Sequence, residues 1–420
     1  MRTLPSLPDW CSLEHRVAQI LTEQELHGWH FDERQAYELE SALRNELETI
    51  TGSLRARHPL IAGSEFTPKR NNKTSGYVEG CTFTRLKEFN PTSRDHIAWV
   101  MQEHYGWEPT QFTEKGKATI DEVVLKDIGT PIALDFFRCL ELTKQLGMLS
   151  EGVNAWLKLV RNNRVHHHCS VATNTYRCAH RKPNLAQVPS DANFRKLFTA
   201  TPGQVMVGAD LSGIELRMLA HYLARYDEGR YADILLNGDI HQVNADKIGI
   251  SRRAVKTVTY AFLYGAGDNK IGLSYDPQLS SKQATAKGKE IRAAYMEAVP
   301  GLEKLVTAVK QKAQSTGKIR SLDSRSIPVT SPHKALNMLL QSSAGVIAKR
   351  WMQIVNQELP PETHQLAFIH DELQFETRAV HAADLCASLV RGAEKAGEYY
   401  SMRIPIAAEA KRGATWAEVH

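Results

Sequence analysis

Most of the chain places apolar residues every three or four positions, the spacing of an amphipathic helix. A first helix is predicted over about 13–26, where Gly28 ends the pattern. A longer helix should run from Pro131 to Arg161, with Thr130 as its N-cap. The other predicted helices lie over about 32–50 (with Asp32 as N-cap), 214–315 (several helices), 333–358 and 380–396, and an extended tail should follow the last of them. The chain is therefore expected to be rich in helices, with few strands.

Two predicted strands each bring an aspartate to their end. Val205–Ala209 is a short apolar run typical of a buried strand, and Asp210 terminates it. Gln365–Phe375 alternates around a polar turn, as a β-hairpin does, with Asp371 at the tip. Taken singly, the first aspartate could be a helix N-cap and the second a polar turn residue. Because buried carboxylates are costly unless paired or bound to a cation, the two together predict a site for two divalent ions.

Between these strands lies a helix with basic and aromatic residues on one face. Arg252, Lys256, Tyr260 and Tyr264 recur every four residues, so they stay on one side at 3.6 residues per turn. Arginine and lysine there can neutralise a triphosphate, and tyrosine can stack on a base or sugar. An amphipathic helix with a tyrosine edge in the core is the alternative interpretation. The glycine-rich end of the helix, Gly265-Ala266-Gly267, favours a close backbone approach over core packing.

Composition restricts the possible functions of the chain but does not select one. The chain has 420 residues, 42% of them hydrophobic, and a formal net charge of +5, which permits nucleic-acid binding without requiring it. We expect a cytoplasmic protein, because no apolar run is long enough for a bilayer and Met1–Pro5 lacks a secretory core. The basic segment Thr67–Lys73 is either a solvated connection or a phosphate contact.

The cysteines predict reduced thiols and no metal site. None of the six forms a C-x-x-C pair. His166–Cys169 resembles half of a zinc site, but structural zinc usually needs a second close pair of ligands, and the neighbouring sequence offers none. A polar strand near a nucleic-acid groove is the preferred interpretation.

Several ordered motifs together resemble the DNA polymerases of family A, the polymerase I family. The matching segments are Asp210–Arg217 (motif A), Arg252–Gly265 (motif B), His370–Glu372 (motif C), Thr175–Arg177 with Pro183–Pro189, and Ser331–Asn337 leading to Gln341. Within the family the chain is most similar to the replicative polymerases of T-odd short-tailed phages, from Glu14 to His420. In one departure, Tyr176 stands where the family usually has glycine.

The resemblance implies a role for each matching residue. Asp210, Asp371 and the Leu211 carbonyl would bind two Mg²⁺ ions, with Glu372 in support. Residues of the incoming deoxynucleoside triphosphate (dNTP) site would be Arg252, Lys256, His241, Tyr260, Tyr264 and Glu215. Among these, Lys256 would also count as catalytic, and Glu215 would block a ribose 2′-hydroxyl. The primer–template DNA would be contacted by Arg177, Asn337, Gln341 and His370.

The resemblance also implies an architecture. We predict an α+β right-hand polymerase with an antiparallel-sheet palm, helical fingers and a helical thumb. The predicted limits are 1–157 for the thumb, 158–222 and 337–420 for the palm, and 223–336 for the fingers. The segment before Glu14 is too short for a proofreading exonuclease, so we expect the polymerase region alone. The 59–90 region is short compared with the thumb insertion by which phage relatives recruit thioredoxin, which argues against that processivity partner.

The predicted activity is DNA-directed DNA synthesis, in phage or prophage replication. A single-subunit RNA polymerase is the alternative with the same chemistry, and Glu215 argues against it. A non-catalytic nucleic-acid-binding derivative is the alternative from another class. The joint presence of Asp210, Asp371 and Lys256 argues against that, because a binding module has no use for all three.

Overall fold

The computed structural model describes residues 7–171 and 173–420, so residues 1–6, where the predicted thumb begins, and residue 172 lie outside it. Its helices are α1 (Asp9–His27), α2 (Glu33–Arg57), α3 (Arg94–Tyr105), α4 (Glu122–Ile128), α5 (Pro131–Leu146), α6 (Trp156–Leu159), α7 (Ala192–Arg195), α8 (Ile214–Asp227), α9 (Arg230–Asn237), α10 (Ile240–Ile248), α11 (Arg252–Leu263), α12 (Asp268–Tyr275), α13 (Ser281–Ala298), α14 (Leu302–Thr316), α15 (Ala335–Gln357), α16 (Ala382–Tyr399) and α17 (Trp416–Val419). None of the described helices has the length and apolar composition needed to cross a membrane.

The strands are short and pair antiparallel. They are β1 (Trp29–His30), β2 (Leu60–Phe66), β3 (Phe83–Glu88), β4 (Arg164–Val165), β5 (His168–Ser170), β6 (Ala179–Arg181), β7 (Val205–Leu211), β8 (Lys318–Arg320), β9 (Ser326–Pro328), β10 (His364–Ile369), β11 (Glu372–Thr377) and β12 (Ala408–Gly413). Contacts group the described chain into two compact units. One is Ala36–Ala155, and the other joins the residues up to Gln35 with Trp156–His420.

The unit Ala36–Ala155 is helical apart from the β2–β3 hairpin. Its apolar core gathers side chains from α2 to α5, including Leu54, Ile97, Val100, Met101, Leu125 and Phe136. The side chain of Thr130 accepts a hydrogen bond from the Ala133 amide, which confirms the predicted N-cap of α5. The predicted helix to Arg161 was too long, because α5 ends at Leu146 and a π turn over Gly147–Glu151 follows it.

The larger unit is built on a four-stranded antiparallel sheet in the order β10-β11-β7-β12. Strand β7 lies inside this sheet, which explains its apolar sequence. Gly208 on β7 faces Gln374 on β11, where a Cβ atom would lie 2.5 Å from the Gln374 amide nitrogen. Glycine at this position therefore lets the Gln374 side chain cross β7. Helices α8, α15 and α16 pack with the sheet in one core, in which Trp351 donates a hydrogen bond to the Leu389 carbonyl.

The segment from α8 to α14 is mainly helical, as predicted. Ser251 caps α11 by accepting from the Ala254 amide, and Gly265 (φ +72°) follows the end of the helix. Helices α12 and α13 cross closely at Gly288, where a Cβ atom would lie 1.7 Å from the Asp268 carbonyl oxygen. The basic-aromatic helix is thus held by a neighbouring pair of tightly packed helices.

The C-terminal segment was predicted as an extended tail. Instead β12 pairs along β7, with Glu409 opposite Asp210, and α17 follows it. The predicted hairpin over 364–377 is confirmed as β10 and β11. The first helix is confirmed as well, since α1 ends at His27, directly before Gly28.

Candidate active site at the sheet edge

Strand pairing brings the two predicted aspartates together. Asp210 lies near the end of β7, opposite Glu372 on β11. Asp371 lies in the tight turn between β10 and β11, where the preceding His370 has a left-handed backbone (φ +60°). The Leu211 amide donates a 3.0 Å hydrogen bond to the Asp371 carbonyl, which ties the two strand ends to each other. The two predicted aspartates, 161 positions apart in the sequence, are therefore brought together by one sheet.

The two aspartates are electrostatically coupled. Loss of hydration, followed by repulsion from Asp210 and Glu215, raises the pKa of Asp371 to about 7. Asp210 is exposed near the end of β7, yet loss of hydration and the charge of Glu372 raise its pKa to about 6. Arg177 lowers the pKa of Asp371 and His420 lowers that of Asp210, but neither offsets the loss of hydration and the neighbouring negative charges. Hard oxygen donors that repel one another fit a divalent cation, which would relieve that repulsion.

Glu372 is held in place by neighbours that sequence reasoning missed. Its carboxylate accepts hydrogen bonds of 2.6 Å from the Trp416 indole and 2.6 Å from the Gln374 amide. His420 Nδ1 lies 3.2 Å from its second oxygen. Glu372 is only 6% exposed, so these contacts hold its carboxylate in one position. No local signal marks Trp416 or Gln374, because strand register and Gly208 bring them to this carboxylate.

Glu215 links motif A to the basic-aromatic helix. Its carboxylate accepts 3.0 Å from Arg177 and 2.9 Å from the Tyr264 hydroxyl. Burial, then the Glu215 charge, raises the pKa of Tyr264 to about 12. Burial, followed by the charges of Glu215 and Asp371, raises the pKa of Tyr260. Glu215, Tyr264 and Tyr260, which were predicted to lie in the dNTP site, thus interact with one another.

The predicted phosphate-binding residues cluster at the start of α11. The Tyr260 and His241 rings lie 6.2 Å apart. The pKa of His241 is lowered by burial and by its proximity to Arg252 and Lys256, although Asp239 opposes this. Arg252 forms a 2.7 Å ion pair with Asp239, which the sequence analysis did not predict. Asp239 also caps the N-terminus of α10. In the part of the chain that the structure describes, Lys256 has no ion-pair partner and is exposed.

The four predicted primer–template residues lie on three elements of the larger unit. Asn337 and Gln341 share a face of α15, one turn apart, and the Asn337 amide donates 2.6 Å to the Leu263 carbonyl. Arg177 reaches Glu215, and its charge, after burial, lowers the pKa of His370. Arg177 therefore contacts Glu215, and the charges of both residues act on His370.

Tyr176 keeps a glycine-like backbone despite its side chain. Its φ is +60°, in the left-handed region that favours glycine. The Tyr176 ring lies 4.0 Å beneath the Arg325 guanidinium, and its hydroxyl donates 2.7 Å to the Ser326 carbonyl. These contacts explain how tyrosine is accommodated at the position before Arg177.

A second cluster of ligand-type residues lies on the β5–β6 strand pair. The sequence offered no second close pair of ligands near His166–Cys169, but strand pairing adds one residue, His180, opposite Cys169. His167, Cys169 and His180 each offer a donor atom within 4.8 Å of the other two. Sequence spacing missed this cluster, since its third member comes from the opposite strand.

Comparisons with known proteins agree with this geometry. The family model for DNA polymerase family A matches residues 68–418. The DNA-directed DNA polymerase of Enterobacteria phage T3 is 33% identical, over 97% of this chain and 70% of that protein. The corresponding enzyme of Escherichia phage T7 is 32% identical over the same shares.

Solved structures support the fold. The POL domain of Pol1 from M. smegmatis, in complex with DNA primer-template and dNTP, superposes with a TM-score of 0.78 and covers 97% of this chain and 70% of that one. At 21% identity this likeness shows the fold alone, and it confirms the α+β right-hand architecture. Together with the family match and the phage relatives, it establishes that the protein is a DNA-directed DNA polymerase of family A.

Proposed function

We propose that this polymerase adds deoxynucleotides to a primer 3′-hydroxyl with two Mg²⁺ ions held by Asp210, Asp371 and the Leu211 carbonyl. Membership of family A implies divalent metal ions. Mg²⁺ is the proposed ion because it prefers carboxylate and carbonyl oxygens together with substrate phosphates. The supporting observation is the pair of coupled aspartates at adjoining strand ends, each with a raised pKa.

The residues of the site divide the work of nucleotidyl transfer. When bound, the divalent ions would activate the primer hydroxyl and stabilise the leaving pyrophosphate. Asp210 and Asp371 supply the carboxylates that would bind the ions. Glu372, fixed by Trp416 and Gln374, keeps the start of β11 rigid beside them. Arg252, Lys256 and His241 bind the triphosphate, which requires Arg252 to exchange Asp239 for phosphate oxygens.

Sugar selection rests on the Glu215 network. The carboxylate is fixed by Arg177 and Tyr264, close to the Tyr260 ring. A rigid carboxylate beneath the sugar would clash with a 2′-hydroxyl, whereas a deoxyribose fits. This favours deoxynucleotides and argues against the RNA polymerase alternative.

DNA binding is proposed for residues around the Glu215 network. Arg177, Asn337, Gln341 and His370 would contact the primer–template near the primer end. The M. smegmatis POL domain was solved with primer-template DNA and a dNTP, and this chain would bind the same two ligands. Replication of phage or prophage DNA is the proposed setting, because the T3 and T7 enzymes are among its relatives.

The proposed limits of the right hand follow the motifs. The thumb would span residues 1–157, the fingers 223–336, and the palm 158–222 with 337–420. The four-stranded sheet and its aspartates fall within the palm limits, and α11 falls within the fingers.

Template-directed primer extension tests the proposed function. The wild-type chain should extend a primer on a DNA template with dNTPs and Mg²⁺, and excess chelator should stop it. Ribonucleotides should be incorporated at least about 100-fold less efficiently, a difference of about 2.7 kcal/mol. Preferred use of ribonucleotides would support the RNA polymerase alternative. Duplex binding without any incorporation would support the non-catalytic alternative.

A further inference from the structure

We propose that His167, Cys169 and His180 form a zinc-binding site that ties the β5–β6 strand pair to strand β10. The cluster shares no residue with the carboxylates assigned to Mg²⁺ and has a different donor set, two imidazoles and a thiol. Nitrogen and sulfur ligands suit zinc, whereas Mg²⁺ prefers oxygen.

The distances between ligand atoms fit a tetrahedral ion. Zn–S bonds of about 2.3 Å and Zn–N bonds of about 2.0–2.1 Å place sulfur and nitrogen about 3.6 Å apart in tetrahedral coordination. The Cys169 sulfur lies 3.3 Å from His180 Nδ1 and 3.7 Å from His167 Nδ1. Both sulfur–nitrogen distances lie within about 0.3 Å of that value, and the three ligand atoms all lie within 4.8 Å of one another.

Hydrogen bonding prepares His167 as a ligand. Its Nε2 lies 3.0 Å from the Leu366 carbonyl oxygen on β10, and a carbonyl can only accept, so this nitrogen carries the proton. Nδ1 is then unprotonated, and its lone pair faces the Cys169 sulfur. Zinc-bound histidines commonly donate their second ring nitrogen to a backbone carbonyl in this way.

One polar atom of the cluster is left without a hydrogen bond. The Cys169 thiol can donate to His167 Nδ1 and accept from His180 Nδ1. His180 Nε2 is buried and has no hydrogen-bond partner among the described residues. With His180 bound through Nδ1, its ring would be held against His370, whose ring centre lies 5.7 Å away.

Three protein ligands leave one coordination position. The Gln24 side-chain amide lies 3.6 Å from the Cys169 sulfur. The Gln24 oxygen accepts a 2.8 Å hydrogen bond from the Gln365 amide, so the amide nitrogen of Gln24 faces the cluster. A water molecule would complete the shell. Since His167 also bonds to Leu366, the ion would connect β5, β6 and β10, and its role would be structural.

Cobalt substitution tests the site directly. The reduced, metal-free chain is titrated with Co²⁺, which reports a thiolate ligand by a near-ultraviolet charge-transfer band and tetrahedral geometry by strong visible bands. We expect both with one Co²⁺ per chain, and their loss when Zn²⁺ is added. Co²⁺ at the aspartates would give neither signal, so this outcome is independent of the proposed polymerase mechanism.

Variants identify the ligands. Cys169→Ser should abolish the charge-transfer band, whereas Cys386→Ser, which changes a half-buried thiol of the same unit, should retain it. If Cys169→Ser fails to fold, His180→Gln keeps the thiol and should bind Co²⁺ at least tenfold more weakly.

One equivalent of Zn²⁺ should also raise the Tm of the wild-type chain by several degrees in excess Mg²⁺. A folded wild-type chain without the band, or a Cys169→Ser chain with it, would overturn the proposal.

Discussion

Asp371 shows how far a single residue departs from its ordinary chemistry in this site. Little remaining hydration, with Asp210 and Glu215 nearby, raises its pKa to about 7. The sequence alone predicted that Asp210 and Asp371 meet, because both follow strand patterns. It could not predict the partners of Glu372, since Trp416 and Gln374 reach that carboxylate only through strand register.

Metal binding at the aspartates should depend on pH. Their raised pKa values mean that the charged forms dominate only above about 6 for Asp210 and about 7 for Asp371. Protons then compete with Mg²⁺ below these values, so binding weakens as the pH falls. Between pH 7 and pH 6 the Mg²⁺ concentration that gives half-maximal extension should rise about fivefold through the Asp371 proton alone, and about tenfold when the Asp210 proton is included. A requirement that stays constant over this range would refute the coupling.

Glu215 should control the choice of sugar. In Glu215→Ala the carboxylate is lost, so a ribonucleotide meets no clash while deoxynucleotide binding changes less. We expect discrimination against ribonucleotides to fall by at least about tenfold, or about 1.4 kcal/mol. Steady-state kcat/KM for matched deoxy and ribo substrates measures this. Glu394→Gln, an exposed change on α16, should leave the ratio unaltered. Unchanged discrimination in Glu215→Ala would assign sugar selection to another group.

At the scale of elements, helix periodicity predicted most of the secondary structure but not every boundary. The caps at Asp32 and Thr130 were found from sequence because capping is a local interaction. The end of α5 and the pairing of β12 were missed. The first depends on a π turn, and the second depends on contact with β7, which local patterns do not encode.

Buried Glu376 joins several of these elements. Burial alone would raise its pKa, but hydrogen bonds from His27 and Thr201, with the Arg164 charge, lower it from 4.5 to about 2. Helix α1 and strands β4 and β11 therefore meet at one charged group. Because the folded pKa is depressed, its stabilisation is present above about pH 4.5 and is lost as the pH falls toward 2.

Glu376→Gln should destabilise the larger unit. Removing one partner of a buried ionic network typically costs about 3–5 kcal/mol. We expect a loss of about 3 kcal/mol in the free energy of unfolding at neutral pH, measured by urea denaturation, and a smaller loss near pH 3. An equal loss at both values would show that packing, rather than charge, holds these elements.

At the scale of the whole molecule, the family and the right-hand fold were predicted from ordered motifs and are confirmed. The grouping of the residues up to Gln35 with Trp156–His420 was not foreseen, because it depends on contacts between segments distant in sequence. The domain limits stay a prediction. The segment Thr67–Lys73 lies in the β2–β3 connection, where Lys69 and Arg70 are exposed, and its two interpretations stay open.

Salt dependence separates these interpretations. If Lys69 and Arg70 contact phosphates, the double change Lys69→Glu and Arg70→Glu should weaken duplex binding. The slope of log affinity against log salt should then fall by about 2, since each phosphate contact contributes about 0.9. The matched pair Arg391→Glu and Lys395→Glu on α16 should leave the slope intact. An unchanged slope in the first variant would show a solvated connection.

Single-turnover incorporation of one dNTP tests the central claim that Asp210 and Asp371 together hold the catalytic ions. The rate is measured for the wild-type chain, Asp210→Asn, Asp371→Asn and the exposed control Asp384→Asn, each saturated with primer–template. We predict a loss of at least about 1,000-fold, or about 4 kcal/mol, for each of the first two variants, with duplex binding retained. The control should match the wild type. Incorporation within about tenfold of the wild-type rate by either active-site variant would contradict the account.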